Sequence, residues 1–383
     1  MTSLLESIRQ RFSPTKPFPP GTYHYQAPQE DPRNYRLHLR LEPDGKGLLI
    51  INAATILHLN TTASEFAYHL VNNTPEDQVT KSFASRYRVS RSQALTDYNE
   101  FVNKIDTIIT TPDLDPITFL DLERQMPYDG EISAPYRLDC ALTYNLPGQM
   151  DPNSAPIDRV TQELSAEEWK FVMDKAWEAG IPHIVFTGGE PTLRDDLFEL
   201  ISHAESVGQV AGLVTEGSAL GESGYLEELL NTGLDHLLII LHPRGEKTWR
   251  ALPSVLEADI FTAVHLTITE QNQDQVIETL KLLSKMGVKA ISLSENSTKL
   301  NDVLESAREL VATLDMELVW DLPVPYSSLN PVSLELQERE HPEGVGRAWL
   351  YVEPDGDVLP GQGINQVLGN FLTDSWDVIW KPG

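Results

Sequence analysis

From residue 137 onwards the chain alternates short apolar runs with longer stretches in which apolar residues recur every three or four positions. The short runs predict β-strands and the longer stretches predict helices. Strands are predicted near 138–143, 182–187, 210–215, 236–241, 262–268, 288–293 and 316–322, and helices near 165–178, 194–206, 223–231, 246–257, 271–285 and 299–313. Such alternation predicts an α/β fold with parallel strands, as a barrel or as a doubly wound sheet.

A different pattern precedes this region. Residues 22–45 alternate apolar and polar side chains around a turn at 42–45, and a second hairpin is predicted over 47–60 with its turn at 52–54. Thr61 or Thr62 is expected to cap a helix, because a hydroxyl side chain can bond the free amides of a first turn. Two more helices are predicted near 75–87 and 91–109. Strands followed by three short helices predict a small winged-helix-like α+β domain.

Prolines and charge suggest the domain boundaries. The expected segments are an N-terminal segment over 1–21, the winged-helix-like domain over 22–110, a proline-containing linker over 111–136, the strand–helix region over 137–325 and an extension over 326–383. Residues 1–110 hold 12 basic and 11 acidic side chains, whereas residues 111–383 hold 17 and 46, for a net charge of −28. The acidic part should repel phosphates and anionic lipid, so we expect neither nucleic acid nor membrane as a partner.

The composition also bears on location and redox chemistry. The longest apolar runs, such as 237–241, are too short to span a bilayer, and the first residues lack the pattern of a signal peptide. We therefore expect a cytoplasmic protein. The chain contains one cysteine, Cys140, so no intrachain disulfide and no multi-cysteine metal site can form. No metal-ligand residues are predicted, and the sequence does not determine the oligomeric state.

The most informative stretch is Gly188-Gly189-Glu190-Pro191-Thr192, which lies between a predicted strand and a predicted helix. Two glycines at such a turn would let a ligand approach the backbone closely. The stretch resembles the Gly-Gly-Glu-Pro motif of radical S-adenosylmethionine (SAM) enzymes. The resemblance implies an incomplete (β/α)6 barrel in which this backbone holds the amino group of the methionine moiety. The cofactor-binding residues implied are Thr187, Gly188, Gly189, Glu190, Pro191 and Thr215.

Polar side chains also follow the other predicted strands. In a barrel these positions would share one rim, where barrel enzymes place their chemistry. Glu216, His242 and Glu295 are the candidate catalytic residues, with Glu190 as a further titratable group. Each of them could equally be a helix cap or a solvated loop residue, so they permit acid–base chemistry without requiring it.

The ligands of an iron–sulfur cluster are missing. Radical SAM enzymes hold a four-iron cluster through a Cys-x-x-x-Cys-x-x-Cys loop after the first strand, but residues 145–155 contain no cysteine. Residues 350–362 resemble the SPASM or twitch extension of peptide-modifying radical enzymes, yet Gly361 stands where a cysteine is common. We therefore expect no iron–sulfur cluster and weakened SAM binding. Natural loss and engineered removal of the cysteines both fit the sequence.

The N-terminal domain suggests a partner. Residues 56–63 and the helices after them resemble the RiPP recognition element, a domain that binds a leader peptide as an added edge strand. The first hypothesis is thus a cluster-free pseudoenzyme or scaffold of a peptide-modification system, with a precursor peptide or partner protein at the N-terminal domain. The second is an enzyme with non-radical chemistry, with or without SAM as its ligand. The third, a ligand-sensing transcription regulator, is disfavoured because a DNA reader usually shows a basic face.

Overall fold

The computed structural model describes residues 17–28, 30–52, 55–111, 114–120, 132–148, 154–242, 245–336 and 341–381. Several sequence predictions therefore lie wholly or partly outside the described residues: most of the N-terminal segment, the turn at 52–54, much of the linker and the middle of the 145–155 loop. The chain divides into two compact units, residues 1–133 and 134–383. The finer division into five segments stays a prediction.

The first unit is a four-stranded antiparallel sheet followed by helices. Its strands are β1 (Gly21–Gln26), β2 (Arg36–Leu41), β3 (Gly47–Ile51) and β4 (Thr55–Leu59), paired in the order β1-β2-β3-β4. Its helices are α1 (Thr61–Val71), α2 (Glu76–Tyr87), α3 (Arg91–Thr110) and α4 (Pro116–Leu120). Leu39, Leu49 and Leu57 share one face of the sheet and form a buried core with apolar residues of α1 and α3.

The cap of α1 differs from the prediction. Asn60, and not Thr61 or Thr62, is the N-cap residue, and its side-chain oxygen accepts a hydrogen bond from the Ala63 amide at 3.0 Å. Asparagine is as good a cap as serine and better than threonine, because its short side chain reaches the amides of the first turn. Thr61 and Thr62 are the first helical residues instead.

The second unit is built around a ten-stranded, mostly parallel sheet. Its strands are β5 (Arg137–Thr143), β6 (His183–Gly188), β7 (Val210–Thr215), β8 (His236–Ile240), β9 (Phe261–Ile268), β10 (Ala290–Glu295), β11 (Glu317–Leu318), β12 (Trp349–Val352), β13 (Asp357–Leu359) and β14 (Gly369–Asn370). Strands β5 to β11 are consecutive parallel neighbours. This confirms the expected α/β fold with a parallel sheet.

Helices connect these parallel strands. They are α5 (Ala166–Ala179), α6 (Leu197–Val207), α7 (Tyr225–Leu230), α8 (Glu246–Glu257), α9 (Val276–Met286) and α10 (Asn301–Thr313), and α11 (Trp376–Ile379) lies near the C-terminus. Helix α5 shows why its boundaries were readable from sequence. It begins with a reciprocal capping box between Ser165 and Glu168, and it ends at Gly180, whose φ of +96° suits glycine.

The C-terminal extension joins the same sheet. Strand β12 pairs in parallel with β5, and the hairpin of β12 and β13 turns at Asp355-Gly356 as predicted. The last predicted strand is much shorter than expected, because only Glu317–Leu318 keeps regular pairing with β10. The chain after β11 instead runs as an irregular segment, which becomes important at the candidate site. None of the helices in the described part of the chain is long and apolar enough to cross a membrane.

A histidine of strand β9 lies in the interior of the second unit's sheet. His265 on β9 is fully buried, and its ring nitrogens contact the hydroxyl groups of Ser292 at 3.0 Å and of Thr267 and Ser294 at 3.1 Å. Burial disfavours the charged imidazolium, and it lowers the pKa of His265 from 6.5 to about 4. The ring is therefore neutral near pH 7 in the folded protein.

This histidine should make stability depend on pH. Because the unfolded state binds the proton more readily, its contribution is fully present above pH 6.5 and is lost as the pH falls through about 4. When the pH is lowered from about 7 to about 4.5, the free energy of unfolding should fall less for His265→Gln than for the wild type. The two decreases should differ by on the order of 2–3 kcal/mol. Urea unfolding across this range measures it. His203→Gln, at a partly exposed position beside Asp174, is the control; equal slopes for all three proteins would contradict the assignment.

Candidate functional site

A cavity of about 520 Å³ opens at the carboxyl ends of β6, β7 and β8. In parallel α/β sheets this edge is where loops can surround a ligand, and the volume is within the usual range for small-molecule sites. Gly189, Glu190, Glu216 and His242 line this cavity, together with residues of the segment after β11. We call it the glycine cavity. It brings together three of the four titratable residues that the sequence singled out.

The double glycine allows the backbone of the chain itself to approach closely. A methyl group at Gly188 would overlap the carbonyl oxygen of Thr143, and one at Gly189 would overlap that of Asn145. The same two carbonyl groups accept hydrogen bonds from the Gly189 amide at 2.7 Å and the Glu190 amide at 2.9 Å. The loop after β5 is therefore bound directly onto the glycines. Gly188 also has a φ of +119°, which side-chain-bearing residues rarely adopt.

The carbonyl group of Gly188 is also occupied. It accepts a hydrogen bond of 2.9 Å from the backbone amide of Tyr326. Tyr326 lies in the irregular segment after β11, more than a hundred residues away along the chain, and its side chain is buried. Sequence reasoning missed this residue, and no local pattern around it could have indicated the contact. Its position is set by how the segment after β11 crosses the edge of the sheet.

Glu190 is held inside the protein by a dense set of hydrogen bonds. One carboxylate oxygen accepts from the Thr192 amide and hydroxyl at 3.1 and 2.6 Å and from the Thr215 hydroxyl at 2.7 Å. The other accepts from the Glu216 amide at 2.7 Å. Burial raises the pKa of Glu190, whereas these four donors oppose the shift by stabilising the carboxylate. Glu190 thus links the glycine turn to the end of β7, and only a small part of its surface is exposed to the cavity.

Glu216 and His242 face the cavity from the ends of β7 and β8. Burial lowers the pKa of His242, and the nearby Glu216 carboxylate partly offsets this by favouring the imidazolium. A neutral imidazole can act as a general base and, once protonated, as a general acid, so this part of the cavity permits acid–base chemistry. The fourth candidate, Glu295, lies elsewhere. It lines a second cavity of about 760 Å³, bounded by β10, the segment after β11 and the C-terminal extension.

The remaining cofactor candidates have different environments. Thr215 is fully committed, because its hydroxyl donates to Glu190 and accepts from the Gly217 amide at 3.0 Å. Pro191 is buried and begins a short 3-10 turn over Pro191–Leu193. Thr187 is also buried, but its hydroxyl oxygen has no hydrogen-bond partner among the described residues. An unpaired buried hydroxyl is costly, so Thr187 is the residue in this set that has bonding capacity left.

The residues present do not fit an iron–sulfur cluster. Such clusters are held mainly by cysteine thiolates, whereas the only cysteine of this chain, Cys140, is buried within β5. Burial raises the pKa of its thiol, which disfavours the thiolate that a metal needs. The backbone groups that the resemblance assigned to SAM have partners within the chain. The Gly188 carbonyl and the Gly189 and Glu190 amides are all bonded to the chain itself.

A network of tyrosines and carboxylates lies next to the loop after β5. Tyr144 donates to Glu353 at 2.9 Å, Tyr326 donates to Glu335, and Arg159 pairs with Glu335. The rings of Tyr144 and Tyr326 meet edge to face with centroids 5.5 Å apart, and both belong to one buried apolar cluster. These contacts hold the C-terminal extension against the loop after β5.

The close seating of the loop gives a testable prediction. We expect Gly189→Ala to destabilise the protein by about 1–3 kcal/mol, because the new methyl group must push away a backbone carbonyl that cannot rotate aside. Thermal or urea unfolding measures the change. Gly221→Ala is the matched control, since a methyl group there meets neighbours at an ordinary 3.6 Å. A Gly189→Ala protein as stable as the control would show that the glycine is not needed for this contact.

Three comparisons with known proteins bear on this site. A family model described as Radical SAM superfamily matches residues 148–295. The PqqA peptide cyclase of Bradyrhizobium diazoefficiens is 26% identical over 276 residues, which are 65% of this chain and 72% of that protein. The chain is thus related in sequence to a protein named for acting on a peptide.

Solved structures show a similar fold. The crystal structure of Streptococcus suis SuiB matches with a TM-score of 0.58 and 16% identity, covering 93% of this chain and 88% of SuiB. SuiB bound to its precursor peptide SuiA gives 0.59 and 15% (94% and 88% covered), and SuiB bound to S-adenosylmethionine gives 0.56 and 15% (93% and 88% covered). The stretch that matches the Radical SAM superfamily model, 148–295, contains the double glycine, Glu190, Glu216 and His242.

Proposed function

We propose that this chain is a cluster-free, radical-SAM-like protein of a peptide-modification system. It binds a precursor peptide through the N-terminal unit and a small ligand in the glycine cavity, and it works as a scaffold or pseudoenzyme. Two relatives support the peptide partner, since one is named a peptide cyclase and SuiB is described with a precursor peptide bound. The single cysteine supports the loss of radical chemistry, because no thiolate set remains to hold a cluster.

The observation that carries the peptide part is the position of β4. Among the strands that the structure describes, β4 pairs with β3 and ends the sheet of the N-terminal unit. An edge strand presents backbone donors and acceptors on its outer side, and an extended peptide can pair with them as an added strand. Leu57 and Leu59 of β4 are buried in the core, whereas Thr55, Ile56 and His58 remain partly exposed. These exposed side chains can give the added strand its sequence preference.

A displayed library of random peptides tests this edge. We expect the enriched peptides to slow hydrogen exchange at the amides of β4, because added-strand pairing would protect them. Strand β1 ends the sheet on its other side and serves as the internal control within the same protein. Peptides that bind without slowing exchange at 55–59, or that protect β1 instead, would contradict the assignment to β4.

A specific observation favours one alternative, an enzyme with non-radical chemistry. Glu216 and His242 line the same cavity, and the carboxylate acts on the pKa of the imidazole. The cavity has an acidic character, since none of the lining residues in the described part of the chain is lysine or arginine. A cationic small molecule such as SAM therefore matches its charge better than a nucleotide phosphate.

Thermal-shift titration examines this pair. A ligand that binds only the folded state raises Tm by mass action. We expect SAM, whose sulfonium is cationic, to raise Tm more than its uncharged thioether analogue S-adenosylhomocysteine, and Glu216→Gln to reduce that difference. Glu227→Gln makes the same charge change on exposed α7 and is the control. Equal shifts for both ligands, or an equal effect of both variants, would argue against Glu216. Conversion of SAM that His242→Asn abolishes would favour the enzyme over the scaffold.

A further inference from the structure

The irregular segment 323–331, which we call the strap, lies between the two cavities. Pro325, Ser327 and Ser328 line the glycine cavity, whereas Val324 and Leu329 line the second cavity. Tyr326 lines both. The strap thus separates the two cavities, and Tyr326 lies at the boundary between them.

Backbone and amide hydrogen bonds hold the strap in place. At its centre the Tyr326 amide donates to the Gly188 carbonyl at 2.9 Å. The Asn330 side-chain amide spans the strap and donates to the Val324 carbonyl at 2.7 Å, and Gln362 of the C-terminal extension donates to the same carbonyl at 2.8 Å. No helix or strand includes any residue of 323–331, so the strap can open without unravelling a regular element.

The strap therefore occupies an acceptor group next to the glycine cavity. The Gly188 carbonyl lies beside Gly189 and Glu190. These two residues line a cavity that also contains Glu216 and His242, and none of its described lining residues is lysine or arginine. A ligand ammonium group is the complement of such a wall, because it needs acceptors and negative charge. In the present arrangement the Tyr326 amide is the donor at that carbonyl.

We propose that the strap is an intramolecular occupant of the glycine cavity, which an amine-bearing ligand displaces from the Gly188 carbonyl. Displacement moves Tyr326 away from this boundary, so the two cavities become one cleft. The inference rests on the proposed small-ligand function of the glycine cavity. It has an energetic consequence, because a ligand that binds only the open form loses apparent affinity in proportion to the fraction of protein that is open. Loosening the strap must then strengthen binding of amine-bearing ligands.

The test combines calorimetry and hydrogen exchange on the full chain. Asn330→Ala removes the bond that spans the strap, and Gln362→Ala independently removes the bond from the extension. Asn103→Ala, at an exposed position of α3 in the other unit, is the matched control. The probes are SAM and S-adenosylhomocysteine, which carry the α-amino group of an amino acid, and methylthioadenosine, which lacks that group.

We expect either strap variant to bind the two amine-bearing probes about three- to tenfold more tightly than the wild type, the equivalent of one hydrogen bond. Affinity for methylthioadenosine and the control variant should be unchanged. In the wild type, saturating SAM should speed hydrogen exchange in 323–331, because the Tyr326 amide loses its partner.

Two results would overturn the inference in distinguishable ways. If SAM binds while exchange in 323–331 stays the same or slows, or if methylthioadenosine gains as much as SAM, the strap is not a competitor, and the small-ligand function still stands. If no probe binds the wild type or either strap variant, the strap hides no amine site, and the small-ligand function fails with it.

Discussion

The structure of the second unit depends on one backbone contact, the seating of the loop after β5 on the double glycine. The carbonyl groups of Thr143, at the end of β5, and of Asn145 accept hydrogen bonds from the Gly189 and Glu190 amides at 2.7 and 2.9 Å. They lie so close to the double glycine that neither glycine could carry a side chain. Buried backbone groups must be paired, so this contact both satisfies the turn and fixes the loop. The Arg194 guanidinium reinforces it by donating to the Leu142 and Leu164 carbonyls at 3.1 Å.

Glu190 extends the same contact to the next strand. A buried carboxylate is costly unless several donors surround it, and here the donors come from Thr192, Thr215 and the Glu216 backbone. This arrangement places Glu216 at the cavity that the strap also lines. The acidic character of the cavity is thus a consequence of how the turn is stabilised.

The C-terminal extension completes the wall. Strand β12 pairs with β5, so the extension begins beside the strand whose loop rests on the glycines. Glu353 then accepts a hydrogen bond from Tyr144, which lies 209 residues earlier in the chain, and Glu335 accepts one from Tyr326. An apolar and tyrosine-rich cluster, which includes Tyr144 and Tyr326, packs beside this loop. Packing and hydrogen bonds, which need no metal, hold the region together.

The sequence alone determined the order of strands and helices, because apolar periodicity, the capping box of α5 and the Asp355-Gly356 turn are local signals. It also singled out Gly188–Glu190, Glu216 and His242 as neighbours, since consecutive parallel strands end at one edge. It did not identify the role of the glycines or of Tyr326. Those follow from contacts between distant segments, in which a carbonyl from β5 and an amide from beyond β11 meet the same turn. Local patterns carry no record of such contacts, so only the tertiary structure decided that the chain itself occupies the groups a ligand was expected to use.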